Sequence, residues 1–160
     1  MNNVSPESLA ELAVEALERI AFVLASPVEF DEASRNAFQP AVAFAISFAG
    51  LGEGRVVLLA DASFAAELAA GFLGAEPEEV DVLTSGRDAV SELTNIVGGS
   101  VVLALGGDQQ EYQYGLPEPF DRRNWTTACE DASVALLEGE LGRLVVACQS
   151  TGVGDQRSAA

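Results

Sequence analysis

The sequence predicts an α+β domain in which long helices pack on one side of an antiparallel sheet. Three observations carry that prediction. Apolar residues recur at the helix spacing in some segments and at every second position in others, which is the strand period. The segments run helix, strand, strand, helix, long helix, then three strands, with like elements grouped instead of alternating as in a parallel α/β fold. No repeat, linker or low-complexity block divides the 160 residues. One domain is therefore expected over residues 1–149. Residues 150–160, polar and without a hydrophobic pattern, are expected to form a disordered tail.

Each element has its own local cause. Pro6–Leu24 places Leu9, Leu12, Ala13, Ala16, Leu17, Ile20 and Val23 on one face, with Ser5 as N-cap and Pro6 at the first helical position. Ser26–Gln39, punctuated by Pro27 and Pro40, reads as irregular. Ala41–Phe48 alternates Val42, Phe44, Ile46 and Phe48 with Ala and Ser, and Arg55–Ala60 is a second strand across a Gly50–Gly54 turn, so the two should form a hairpin. Asp61 caps a helix over Ser63–Leu73 that Gly74 ends. After the acidic connector Glu76–Glu79 comes the long helix, Ser85–Leu105, stopped by Gly106-Gly107-Asp108. Tyr112–Phe120, with prolines at 117 and 119, suits an extended edge segment. Asp121–Trp125 reads as a surface loop, and Thr126–Leu137 and Leu141–Cys148 as the last two strands.

Composition excludes much chemistry. With 25 acidic residues against 8 basic ones the net charge is −17, and every basic residue is Arg. Such a surface repels phosphate backbones and anionic lipids, so neither nucleic acid nor membrane is an expected partner. No apolar run reaches the roughly 18 residues of a membrane span, and Met1–Glu7 lacks a signal pattern, so a cytoplasmic protein is expected. Without His or Lys there is no Ser-His-Asp triad, no Cys-His dyad, no Schiff base and no His-ligated metal. Cys129 and Cys148 flank a predicted hairpin and read as buried small residues, with no metal motif. The Gly50–Gly54 turn joins strand to strand and opens no helix, so it is a poor phosphate loop. Catalysis would have to run on carboxylates, amides, hydroxyls, Arg, or groups lent by a partner.

One stretch stands apart. In the long helix, Ala89, Leu93, Ile96, Ser100 and Leu103 share a stripe suited to a core, with Ser85 as N-cap. Asp88, Glu92, Asn95 and Gly99 fall within an arc of roughly 60° beside it. Three acceptor-rich side chains with no cation among them are not a stripe of helical ion pairs. Most such triples are simply solvated faces, and spacing alone does not separate the two readings.

The order of elements resolves more than the spacing does. The chain resembles the CheX branch of the CheC/CheX/FliY family of chemotaxis phosphatases. That family's signature is Asp or Ser, three residues, Glu, two residues, Asn, then about 21 or 22 positions to Pro, and here Asp88, Glu92 and Asn95 are followed 22 positions on by Pro117. Gly52-Glu53-Gly54-Arg55-Val56-Val57-Leu58 and Asp61–Gly74 are similar to the family's strand entry and following helix, so the resemblance covers roughly residues 5–149. It implies a CheC/CheX-like fold and a phosphatase for the phospho-aspartate of a CheY-like response regulator. It makes Glu92 and Asn95 catalytic: Glu92 pairs with the regulator's active-site lysine and Asn95 orients the attacking water. Asp88, which begins the motif, Gly99 and Pro117 would serve binding. No cofactor of its own is implied, because Mg²⁺ and the phosphoryl group arrive on the partner. A homodimer is implied too, and the strand-rich C-terminal half offers an edge that could pair with a second copy, although the sequence does not name the dimer surface. Arg87, Arg122 and Arg123 are candidate basic patches for an acidic regulator. The alternative is a non-catalytic adaptor or flagellar-switch-type domain of the same fold.

Overall fold

A computed structural model describes residues 4–50, 52–106 and 113–150. Helix α1 (Pro6–Ala21) starts at Ser5, whose hydroxyl accepts from Ser8 N–H at 3.1 Å, and stops at Phe22 in the left-handed conformation. The segment expected to be irregular holds two short elements, β1 (Ser26–Val28) and α2 (Glu32–Ala37), the latter capped by Asp31. Strands β2 (Val42–Ala49) and β3 (Glu53–Ala60) form the expected hairpin, in register from Val42↔Ala60 to Ala49↔Glu53. Helix α3 (Ala62–Leu73) begins at the expected Asp61 cap and ends at Gly74, φ +66°. The connector contains a 3₁₀ turn, Pro77–Glu79.

The long helix, α4 (Arg87–Gly106), is entered through one wide turn, Val82–Gly86, closed by Gly86 N–H to the Asp81 carbonyl at 3.0 Å. Asp81 caps that turn through Leu83 N–H, so Ser85 is not the N-cap. The proline segment supplies the expected edge structure as two short strands, β4 (Gln113–Tyr114) and β5 (Glu118–Pro119), and both pair with β2. The expected strand Thr126–Leu137 is half wrong. Trp125–Ala128 is a helical turn, α5, because Trp125 packs edge-on against Phe38 and Phe30, and β6 starts only at Ser133 (Ser133–Glu138). Strand β7 (Arg143–Ser150) runs past Cys148, and Ser150 pairs with Gly54, so the proposed tail boundary at 150 falls inside a strand. Residues 151–160 lie outside the described residues.

The antiparallel sheet has the order β1-β6-β7-β3-β2-β4, with β5 also on β2. Helices α1, α3 and α4 cover one face, over a core that includes Val42, Phe44, Ile46, Phe48, Val56, Leu58, Leu144 and Val146. This is the bulky face expected for β2. The small-residue face is not left to solvent: Ala43, Val57, Leu59, Val145 and Ala147 pack with Phe38, Ala128 and Trp125 in a second cluster. Cys148 belongs to the first cluster and Cys129 to the second, so the two free thiols sit on opposite faces of the sheet. Burial pushes both up to about 11.

Helix α4 is rotated from the expected stripe. Its buried face is Ala89, Val90, Leu93, Thr94, Val97, Gly98, Val101, Val102 and Leu105, while Ile96 and Ser100 are half-buried and Leu103 is 61% exposed. The stretch Val82–Gly106 is long and apolar enough to cross a bilayer by length and composition. Its apolar side is already spent on the sheet, and its outer side carries Asp88, Glu92 and Asn95.

Candidate functional site

The path of α4 is set from beneath. Gly98 presents no side chain to β2, and a Cβ there would lie 2.5 Å from Ile46 Cγ2, so the helix approaches the sheet more closely than any residue larger than glycine allows. One turn earlier, the buried Thr94 hydroxyl donates to the Val90 carbonyl at 2.7 Å and so needs no outside partner. With Leu93, Val97 and Val101 fully buried, the opposite side of the helix must face outward.

Asp88, Glu92, Asn95 and Gly99 lie on that outer side. Asp88 and Glu92 are exposed, and Asn95 and Gly99 half-buried. None of the three polar side chains has a hydrogen bond or ion pair among the described residues. The nearest cation in sequence is turned away from them: the Arg87 guanidinium stacks 5.1 Å from the Phe44 ring centroid, toward the sheet edge. The other two expected basic residues are also engaged. Arg122 donates to the Pro40 carbonyl at 3.4 Å. Arg123 grips Asp121 at 3.0 Å, and that hydrogen bond holds the Asp121 carboxyl below its ordinary range. The expected basic patches are thus spent on local partners.

Two walls flank the polar line. On one side, the Tyr114 hydroxyl lies 3.5 Å from where a Gly99 Cβ would sit, and β5 is paired with β2 at Phe44, under Arg87. The segment from Tyr114 to Pro119 is therefore anchored at both ends of the stretch that contains Asn95. Pro117, half-buried, lies within it. On the other side, Phe72 and Leu73 of α3 border a cleft with Asp88 and Glu92. Tyr114 and the α3 wall were missed at the sequence level, because both depend on contacts between distant segments. The only local signal was the pair Gly98-Gly99 inside a helix, where glycine is costly without a packing reason.

Chemically the line offers a carboxylate and an amide about one helical turn apart, outward-facing and without partners among the described residues. Among the described residues no group of three or more His, Cys, Asp or Glu side chains could hold a metal. An amide and a lone carboxylate can position a water or pair with a foreign cation, but they make no self-contained catalytic centre.

The model of one protein family, described as chemotaxis phosphatase CheX, matches residues 42–137, more than half of the chain. A search of curated proteins found no match. Among solved structures, the chain is similar to the chemotaxis protein CheX of Vibrio vulnificus at 16% identity and TM-score 0.69, covering 89% of this chain and 93% of that one. It is also similar to a chain of the CheX-CheY-BeF₃-Mg²⁺ complex of Borrelia burgdorferi, at 16% identity and TM-score 0.63 over 90% and 96%. FliY of Thermotoga maritima follows at 18% identity and TM-score 0.55 over 96% and 93%.

Proposed function

The chain belongs to the CheX family of chemotaxis phosphatases, and on that premise we propose that it hydrolyses the phospho-aspartate of a CheY-like response regulator. The observation that carries the reading is the outward line of Asp88, Glu92 and Asn95 without partners among the described residues. A helix face that held its own structure together would spend those groups locally. Glu92 pairs with a lysine of the regulator and fixes the docking register. Asn95, about one turn on, holds the attacking water in line with the phosphorus through its amide oxygen and NH₂. The water oxygen bonds to phosphorus, the bond to the aspartate oxygen breaks, and the regulator's carboxylate leaves. The water's proton passes to the phosphate product, so Asn95 changes protonation at no stage.

Mg²⁺ and the phosphoryl group belong to the regulator, and the similar Borrelia CheX is itself in a complex with CheY, BeF₃ and Mg²⁺. Asp88 and Gly99 belong to the docking face of α4, and Pro117 belongs to the Tyr114–Pro119 segment that walls it. The working unit is the domain up to β7, in the cytoplasm where such regulators act. Homodimerisation through a sheet edge belongs to the same reading. Beside Ser133–Ala135 of β6, no strand among the described residues pairs on the outer side.

A second reading is a non-catalytic adaptor or flagellar-switch-type domain, which has a fold counterpart in the FliM middle domain at TM-score 0.51. One experiment separates them. Phospho-regulator decay is followed with and without the protein, and with Asn95→Ala. The phosphatase reading expects acceleration by the wild type and at least about a hundredfold loss in the variant, with affinity within about tenfold. A wild type that binds and leaves the decay rate unchanged is an adaptor.

A further inference from the structure

Between the last turn of α3 and the start of α4 lies a cleft of about 170 Å³, bordered by Ala69, Phe72, Leu73, Ser85, Asp88, Ala89 and Glu92. Ala69 and Ala89 are buried at 1% and 6% exposure, so the cleft bottoms on two small methyl groups, where a larger residue would fill it. Leu73 is 63% exposed, and Leu83, two residues before Ser85, is 70% exposed. Exposed leucines scattered singly need no explanation. Of the two, Leu73 borders the cleft, a concave apolar surface with no cationic side chain on its border. An apolar cavity of about 150 Å³ accepts a benzene ring, so the cleft has room for one Leu, Met or Phe side chain.

The occupant follows from the border. Asp88 and Glu92 edge the cleft and also belong to the polar line, so a partner whose surface meets the Glu92 carboxylate is carried over the mouth of the cleft. Resting on the function proposed above, we infer that the cleft receives one apolar side chain from the response regulator's surface beside its phosphorylated aspartate. Phe72 and Leu73 thereby set which regulators dock well. Glu92 reads a charge that all such pockets would share, whereas the cleft reads a neighbouring side chain that differs between them. Discrimination by a hydrophobic pocket of this kind is modest per group, about 10–200-fold.

The test uses the full chain and a panel of purified CheY-like regulators loaded with beryllofluoride and Mg²⁺ for affinity, and phosphorylated for turnover. Leu73→Gln, at an exposed position, should leave the melting temperature unchanged, weaken affinity at least about fivefold, raise the half-saturating regulator concentration in proportion and leave the saturated rate within about twofold. Leu73→Met should restore wild-type affinity, and Phe72→Ala should weaken it further. If Leu73→Gln binds like the wild type while Asn95→Ala still abolishes turnover, the cleft inference is overturned and the site reading stands. A fall in saturated rate at constant affinity, or a change only in self-association of the free chain, also overturns it. If the wild type neither binds nor accelerates any regulator, both readings fall together.

Discussion

Replacing Gly98 by Ala tests whether the helix-to-sheet contact beneath the polar line is as tight as it looks. The new Cβ would lie 2.5 Å from Ile46 Cγ2, against about 3.5–4.0 Å for a relaxed carbon–carbon contact, so helix and strand must part by about 1 Å. Overpacking of that kind costs about 1–3 kcal/mol. Glycine-to-alanine exchange inside a helix returns about 0.8–1 kcal/mol. The net expectation is a loss of about 1 kcal/mol, which for a domain of this size is about 2–4 °C in melting temperature. The informative measurement is the cycle with Ile46→Ala. That change alone costs about 2–5 kcal/mol through the cavity it leaves. It also removes Cγ2 and Cδ1, and the nearest Ile46 atom left, Cβ, is 3.7 Å from the new methyl position, an ordinary contact. In the Ile46→Ala background, Gly98→Ala should therefore become stabilising by about 1 kcal/mol, a coupling of about 1–3 kcal/mol in urea titrations. Equal effects of Gly98→Ala in both backgrounds, within about 0.5 kcal/mol, would refute the packing argument. Asn95 lies three residues before Gly98, just under one turn, so on the proposed function displacement of α4 should also slow regulator dephosphorylation in the single mutant, with recovery in the double.

Two further outcomes concern the scaffold. Asp61 ties two elements together, accepting Phe64 N–H at 2.8 Å with one oxygen and Arg143 N–H at 3.0 Å with the other. Asp61→Ala removes a helix cap and strips a strand donor of its acceptor, so a loss of about 2–4 kcal/mol is expected in chemical denaturation, with Asp61→Asn in between. The cysteines give a pH signature. Both thiols rise from 9.0 to about 11 in the folded chain, so the native state holds protons that the unfolded state has released. Stability should be unaffected by them below pH 9 and should fall between pH 9 and 11, by an amount on the order of 2 kcal/mol for Cys148 and less for Cys129. Cys148→Ala should flatten that fall, and native thiols should resist alkylation at pH 8.

The legible parts of this fold were those in which one face is unambiguous. Strand β2 alternates large and small side chains, so its two faces, and even the direction of the core, could be read directly. Asp61 and Gly74 bracket α3 because capping chemistry is local. Helix α4 was harder because Ile96, Leu103, Val97 and Val101 make it apolar on most of its circumference, and periodicity could not choose between two faces about 100° apart. The choice was made by Gly98 seating on Ile46, a contact between residues 52 positions apart. The helical turn at Trp125 is split by the sequence between a loop and a strand beginning at Thr126, because the Trp125 partners Phe30 and Phe38 lie 95 and 87 residues earlier. At the site, the spacing of Asp88, Glu92 and Asn95 was visible in the sequence. The absence of local partners for them, the tyrosine at one flank and the cleft at the other were not, since each is a fact about what surrounds the helix.

The place of β7 in the sheet has a consequence for how the chain acquires its shape as it is made. The last strand in sequence lies in the middle of the order, between β6 and β3, and it alone joins β1-β6 to the β3-β2 hairpin and its edge strands. Until Arg143–Ser150 is in place, the other described strands can pair only as two separate groups, β1-β6 and the β3-β2 hairpin with its edge strands. Strand pairings of such large sequence separation form slowly, and unpaired edges invite association with other chains. During that interval the acidic helices at the N-terminal end, with Glu7, Glu11, Glu15 and Glu18 along α1, are already made. A strongly negative nascent chain repels its neighbours on the same message, which gives the surplus of acidic residues a use before any partner is met.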